Sequence, residues 1–587
     1  MVSIGLFSYM LLGRFGDFLD NEYLRLLLFW PVVVGGGIFL KAGGLQRSWR
    51  ELLGASLLFA AFGYKAASFS PDVSTYPFSI DWSETSRYFY ASLFFSKQLY
   101  GISIPPSVLH PTRYLMQSVP FLISGLPLWF HRLWQVFLWI GVTLLSGYLL
   151  VRRLSIPDRS RRWMFMAWTF IFLLLGPVYY HLQVPAIIVL WGFNTNEPAS
   201  PSAVRWTFWK NLGIILLASV WAGISRINWF PVPGMLAATL YFLEVPVQNQ
   251  KFWRYLARPI LWTAAGTLTA FASEAAYVVW SGNPSQEFTS SLTSELLWYR
   301  LFPNPTYPAG VIPDALLVSL PLILLVMAHL SGKWKAFHPL RLWGMGAVLL
   351  VLFAGGIVVS TKIGGGSNLH NLDAFLTLLM IVSATIFFGK IKSEPSFEIH
   401  AADASDLKAR PLDKLSASLL AIVLLIPAYF ALGSGSPARV PNARTTRNAM
   451  ATITKYVDAA VKKGGEVLFI DQRQLITFHY IKGVQMFPDY EKVFLMEMAM
   501  AGNPNYLGRF DNDLKNHRFA LIVSEPLFIT YKGAAESFGE ENDAWVKNVA
   551  TQVLCYYEPQ KTVRGVRVQL LTPRVEAGDC QPPANGE

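Results

Sequence analysis

Charged side chains are scarce in this sequence. Asp, Glu, Lys and Arg make up 15% of the 587 residues against 53% hydrophobic ones, and the mean hydropathy is +0.36. That balance excludes an ordinary soluble domain, in which about a quarter of residues are charged. Cysteine is scarcer still: Cys555 and Cys580 are the whole complement, too few for a disulfide framework or a thiolate metal cage. They lie 25 residues apart near the C-terminus, and spacing alone leaves a disulfide and two free thiols equally open. The chain has no GxGxxG, no Walker sequence, no Cys-His cluster and no visible repeat of 20–50 residues, so it shows no nucleotide-binding or zinc motif and no solenoid.

Long apolar runs take the place of charge. A bilayer core about 30 Å thick needs about 20 largely apolar residues per helix, and twelve candidate stretches precede residue 435: 24–40, 52–68, 132–151, 163–180, 183–193, 211–226, 229–243, 259–280, 312–330, 342–360, 371–389 and 416–434. The short 183–193 run is the weakest. The N-terminal MVSIGLFSYMLLGRFGDFLD, interrupted by Arg14 and Asp17, reads as an interfacial segment or a thirteenth helix. The expected fold is therefore an all-α polytopic membrane domain of about 12–13 transmembrane helices over residues 1–434, with a soluble α/β domain behind it.

The formal charge of +12 does not point to nucleic acid. Basic residues gather in alternate short loops, Lys41 to Arg50, Arg152 to Arg162, Lys251 to Arg258, Lys333 to Arg341 and Lys390 to Lys414, as expected for cytoplasmic loops. The remaining loops, including a long one over about 69–131, and everything after 435 are then extracytoplasmic. GSGSPARVPNAR supplies a linker at 435–444. From 445 to 587 the pattern changes: TRNAMATITKYVDAAVKK suits a helix, EVLFID a buried strand, and LGRFDNDLKNHRFALIVSEP a helix leading into another strand. Asp471, Arg473, Asp511 and Asp513 in this tail read as solvated surface.

Within the long loop, DWSETSRYFYASLFFSKQLYG is followed by SIPPSVLHPTRYLMQSVPFLISG and then by an apolar helix ending in LLVRRL. Further on come GISRINWFPVPG, LLWYRLFPNP and STKIGGGSNLHNLDAF. This order resembles the GT-C type membrane glycosyltransferases, the superfamily that includes protein O-mannosyltransferases and the lipid A aminoarabinose transferases. Asp81 matches their acidic motif, His110 and Pro111 the turn after it, Arg226 a basic residue at an outer helix end, and Lys362, Asn368 and His370 a Lys-Gly-Gly-Asn loop. Two features depart from the pattern. The usual adjacent acidic pair is here DWSE, and an extra span, 24–40, precedes the loop.

The resemblance implies a polyprenyl-phosphate sugar as donor, presented in the bilayer at the outer leaflet, and a glycan, lipid or protein as acceptor. Asp81 would be the base and Glu84 would orient the acceptor or hold a divalent cation, since a helix over 81–95 would align Asp81, Glu84 and Tyr88. Arg226, Lys362, Arg300 and His370 would hold the phosphate. Blander readings stand beside these: Asp81 as a helix cap with Glu84 paired to Arg87, Arg226 and Lys362 snorkelling, Arg300 in an aromatic belt with Trp298 and Tyr299, His370 as a structural helix-start residue, and His110 as a turn residue. The rival function is a transporter, for which Pro185, Pro231 and Pro233 would break helices and Glu274 would be the intramembrane charge. A scaffold that merely displays the tail is a third.

Overall fold

The computed structural model describes residues 2–13, 15–195, 200–248, 250–331, 334–365, 368–394, 414–437 and 440–581. Arg14, Lys333, Gly366, Lys408 and Arg410 lie outside the described residues, as do the side chains of Lys335 and Asn368.

Among the described residues, seven helices are long and apolar enough to cross a membrane: Glu22–Ala42, Trp49–Asp72, Leu128–Leu154, Val311–Leu330, Pro339–Thr361, Leu369–Phe387 and Lys414–Gly433. These seven correspond to seven of the twelve expected stretches. Three expected spans are short helices, Arg159–Leu173 of 15 residues and Tyr180–Gly192 and Val232–Glu244 of 13 each, and 13 residues at 1.5 Å rise reach only about 20 Å. Two more expected stretches lie in the longer helices Pro201–Gly223 and Phe252–Ser281, where Arg205, Lys210, Arg254 and Arg258 precede the apolar runs 211–226 and 259–280 and Glu274 lies within the second. The N-terminal helix Val2–Leu12, 11 residues long, buries Phe7, Leu11 and Leu12 against the bundle and is too short to span.

Apolarity on every side marks the central helix. Of its apolar window in Leu369–Phe387, 94% is buried within the protein, which matches a sequence, DAFLTLLMIVSATIF, without a polar stripe. Its N-terminal end carries His370, Asn371 and Asp373 to the end of the bundle where the tail sits, called here the tail end. Its other end meets the basic loops at what is called the basic end.

The tail contains a four-stranded sheet, β1 (Glu466–Phe469), β2 (Phe519–Ser524), β3 (Tyr557–Val563) and β4 (Val568–Pro573), in the order β1-β2-β4-β3. β1 and β2 are parallel, joined through the helices Lys492–Ala501 and Pro504–Lys515, and the other pairings are antiparallel. Val467, Leu468, Phe469, Leu521, Ile522 and Val523 are all buried, as expected for strands covered on both faces. Cys555 and Cys580 are disulfide-bonded, with Cα atoms 4.8 Å apart.

Tail and long loop share one apolar core. Phe78, Phe89, Tyr90, Leu93 and Tyr114 of the loop are buried with the sheet residues of the tail. Polar contacts run alongside: Arg473 N donates to Thr85 Oγ1 at 2.7 Å, Ser79 N to Gln472 Oε1 at 3.0 Å, and Ser86 Oγ to Glu491. The Arg473 guanidinium lies 4.4 Å over the Phe89 ring. Arg473 is wholly buried and Asp471 nearly so, so neither is the solvated surface residue expected from the sequence.

Candidate active site

The DWSETSR segment forms a turn and then a helix, Glu84–Ser92. Asp81 stands outside this helix, so the expected common face of Asp81, Glu84 and Tyr88 does not exist. The Asp81 carboxylate accepts from Ser83 N at 2.8 Å and Ser83 Oγ at 3.1 Å, the local bonding that makes aspartate a turn former, and it pairs with Arg87 at 3.0 Å. Its side chain remains 47% exposed. Burial pushes this carboxyl up, but Arg87 and the Ser83 bonds outweigh it and hold Asp81 below the ordinary 3.8.

Glu84 has a different environment. Both its oxygens face Arg132, Oε1 to Nε at 2.7 Å and Oε2 to Nη2 at 2.9 Å, and Oε2 also accepts from Ile80 N at 2.7 Å. Each partner is 1% exposed. Arg132 donates further to the carbonyls of Ser74, Tyr76 and Phe78. The assignment of Glu84 as acceptor-orienting or cation-holding residue is therefore corrected: with its oxygens already taken, it clamps the loop to the helix Leu128–Leu154. Among the described residues, no group of three or more His, Cys, Asp or Glu is arranged to hold a metal ion.

Arg226 lies where GISRINWFPVPG breaks between two helices, in extended backbone just after Pro201–Gly223. Its Nη1 is 3.1 Å from His370 Nε2, and its Nη2 donates to Asn371 Oδ1. His370 is fixed from its other nitrogen by the Pro177 carbonyl at 3.1 Å and by the Tyr179 ring, 4.6 Å between centroids. The structure thus brings Arg226 and His370 together. Lys362 follows the helix Pro339–Thr361 and pairs with Glu497 of the tail at 2.9 Å. Arg300 is engaged through both terminal nitrogens, while its Nε has no partner: Glu541 receives its Nη1 at 2.6 Å and Nη2 at 2.8 Å, and Glu540 its Nη2 at 2.8 Å. Wholly buried in this pairing, Arg300 is removed from the phosphate ligands and becomes a fastener of the tail.

Sequence reasoning passed over Arg113. It follows His110 by three residues in HPTRYL, on the helix Pro111–Gln117, and its guanidinium lies 4.7 Å over Tyr179, the ring that also holds His370. The signal was an arginine next to a quoted turn, with no carboxylate near it in sequence. His110 is a turn residue as well, with a left-handed φ of 48°. Burial first, and then the Arg226 and Arg113 guanidiniums, push its ring down to about 3, so it is neutral at physiological pH. His181, 5.9 Å from His110 between ring centroids, completes the group.

Neither Arg113 nor Arg226 has a carboxylate within ion-pair distance among the described residues. Several polar atoms around them find no partner: Arg87 Nε, His110 Nδ1, Arg113 Nε and both nitrogens of His181. Unsatisfied polar groups are uncommon in buried positions, and a cluster of them calls for an explanation. Positive charge, neutral imidazoles and open donors in one neighbourhood are chemistry that an anion would satisfy.

No protein-family model matches the chain, and no curated protein matches it. Among solved structures it is similar to the crystal structure of ArnT from Cupriavidus metallidurans in the apo state, at 13% identity over 83% of this chain and 92% of that one, with a TM-score of 0.38. The crystal structure of the same protein bound to undecaprenyl phosphate aligns at 13% identity over 90% and 99%, with a TM-score of 0.39. Identity and score are both low.

Proposed function

We propose that the protein is a multi-pass membrane glycosyltransferase that moves a hexosyl or pentosyl group from a polyprenyl-phosphate donor to an extracytoplasmic glycan, lipid or protein. The observation that carries this reading is the anion receptor at the tail end, with Arg113 and Arg226 lacking carboxylate partners and the half-exposed Asp81 reaching the same cluster through Arg87. A phosphate headgroup fits such a receptor, and the lipid part of the donor fits a bundle of apolar helices. The tail and the long loop face outside in this reading, because the basic loops lie at the opposite end.

In the reaction, an acceptor oxygen attacks the anomeric carbon while the bond from that carbon to the phosphate oxygen breaks. Asp81 takes the acceptor proton. The charge that develops on the leaving polyprenyl phosphate is held by Arg113 and Arg226, with Lys362 contributing if it leaves Glu497. Asp81 held low by Arg87 is a poor base, since the best proton acceptor has a pKa near the working pH. A donor phosphate competing for Arg87 would loosen that pair and raise the basicity of Asp81, which couples proton acceptance to donor binding.

The test uses purified protein in lipid nanodiscs with a panel of polyprenyl-phosphate sugars and measures release of polyprenyl phosphate. Release from at least one donor, lost in Arg113→Gln and Arg226→Gln proteins that keep the wild-type melting temperature, is the expected result. Folded wild-type protein that turns over no donor overturns the reading.

A further inference from the structure

A second cationic site lies at the opposite end of the bundle. A cavity of 540 Å³ is lined there by Arg152, Arg153, Lys210, Lys390, Lys392 and Glu244, with Trp191 at its edge. The floor is neutral: Arg153 grips Glu244 with Nε and Nη2 at 2.7 and 2.8 Å, and Thr195 Oγ1 donates to the same carboxylate. A further bond from Arg153 Nη1 to the Phe193 carbonyl at 2.8 Å fixes this floor in place. Glu244 is therefore committed, and the other four cations face the cavity without a carboxylate partner among the described residues.

These four arrive from three separate segments: the end of Leu128–Leu154, the middle of Pro201–Gly223, and the stretch just after Asp373–Phe387. Like charges so gathered repel one another, and an anion in the cavity relieves that repulsion. One negative charge would leave most of it in place, so the matching ligand carries at least two. Its depth is set by tryptophans. Trp191 is 70% exposed, and Trp206 and Trp209, beside Lys210, are 71% and 56% exposed, a belt of the kind that marks the membrane interface. Leu149 and Leu190 supply an apolar wall.

We propose that this cavity binds the headgroup of an anionic phospholipid carrying two phosphates, drawn from the leaflet at the basic end. Basic pockets between helices on the cytoplasmic side suit such headgroups. The site is remote from Asp81 and Arg226 and does not depend on the glycosyltransferase reading.

Detergent-purified full-length protein titrated with cardiolipin and followed by native mass spectrometry tests this, with phosphatidylcholine and inorganic pyrophosphate as comparison ligands. A triple variant, Arg152→Gln, Lys390→Gln and Lys392→Gln, is set against a charge-matched triple outside the cavity, Lys41→Gln, Lys251→Gln and Lys414→Gln. Each cationic contact contributes about fivefold in affinity, so cardiolipin binding should weaken about 100-fold in the cavity triple and stay within about twofold in the other. If the cavity triple does not fold, single Lys390→Gln should still show the loss of about fivefold. Equal weakening in both triples, or unchanged binding in the cavity triple, overturns the site. Pyrophosphate binding as tightly as cardiolipin overturns the lipid assignment.

Discussion

At the tail end, Arg132, Arg300 and Lys362 each meet a carboxylate from a distant part of the chain, 48, 241 and 135 residues away. At the basic end, Arg152, Lys210, Lys390 and Lys392 meet none among the described residues. Cations in the first group act as fasteners between segments, and those in the second are the ones proposed above to receive a lipid headgroup. This contrast isolates Arg113 and Arg226, which sit among fasteners but fasten nothing acidic. A cation's role is therefore better read from what its neighbours have already neutralised than from its position along a span.

The sharpest break within the tail end is expected between Asp81 and its neighbours. Asp81→Asn keeps the shape and the Ser83 bonds but removes the proton acceptor, and single-turnover transfer should fall about 100- to 10,000-fold at an unchanged melting temperature. Near-wild-type transfer would reduce Asp81 to a turn residue. In the active wild type, the acidic limb of kcat/KM without saturating donor should lie below pH 3.8, and Arg87→Gln should move it upward.

Arg132→Gln should damage the fold more than loss of any one of Arg152, Lys210, Lys390 and Lys392. It leaves the Glu84 carboxylate buried and three loop carbonyls without their donor, and breaking a buried pair in this way costs about 3–5 kcal/mol. Chemical unfolding in detergent measures it, and a loss under about 1 kcal/mol would mean that the loop is not clamped there. Arg300→Gln should cost less, about 1–3 kcal/mol, because Glu540 and Glu541 are 18% and 10% exposed and water can reach them. Limited proteolysis should then cut the tail faster, and Glu541→Gln added to it should recover part of the loss.

His110 supplies a pH test. Its native ring is held down to about 3 against an ordinary 6.5, so between those values the unfolded chain binds a proton that the native one does not. Stability therefore falls as pH drops from 6.5 toward 3. His110→Asn suits the left-handed backbone and should make that slope shallower; an unchanged slope would show that His110 does not contribute to it. Smallest of all, Lys390→Gln should change unfolding stability by no more than about 0.5 kcal/mol, and a larger loss would reveal a partner for Lys390 within the chain.

The apolar stretches located the bundle but not the lengths of its helices: Tyr180–Gly192 and Val232–Glu244 have only 13 residues each, and an apolar run reads alike whether it faces lipid or packs inside protein. Arg226 and His370 were legible as helix-end residues, yet their contact joins positions 144 apart. The DWSE spacing misled for a local reason: a three-residue interval aligns side chains only inside a helix, and the helix starts at Glu84. Arg300 looked available because its two carboxylate partners lie in the tail. Arg113 is visible in HPTRY but carries no signal there, since an arginine acquires meaning only once the absence of a counter-charge can be seen in space.

The core shared by the long loop and the tail sets the timing of synthesis. Ser86 and its partner Glu491 are 405 residues apart, and at about 5–20 residues per second the ribosome needs roughly 20–80 s to make the second after the first. Throughout that interval Phe78, Phe89, Tyr90 and Leu93 have no sheet to cover them. The half-made protein must therefore be shielded by a chaperone or the membrane surface, and a chain truncated before residue 443 should be degraded rather than accumulate as a helix bundle.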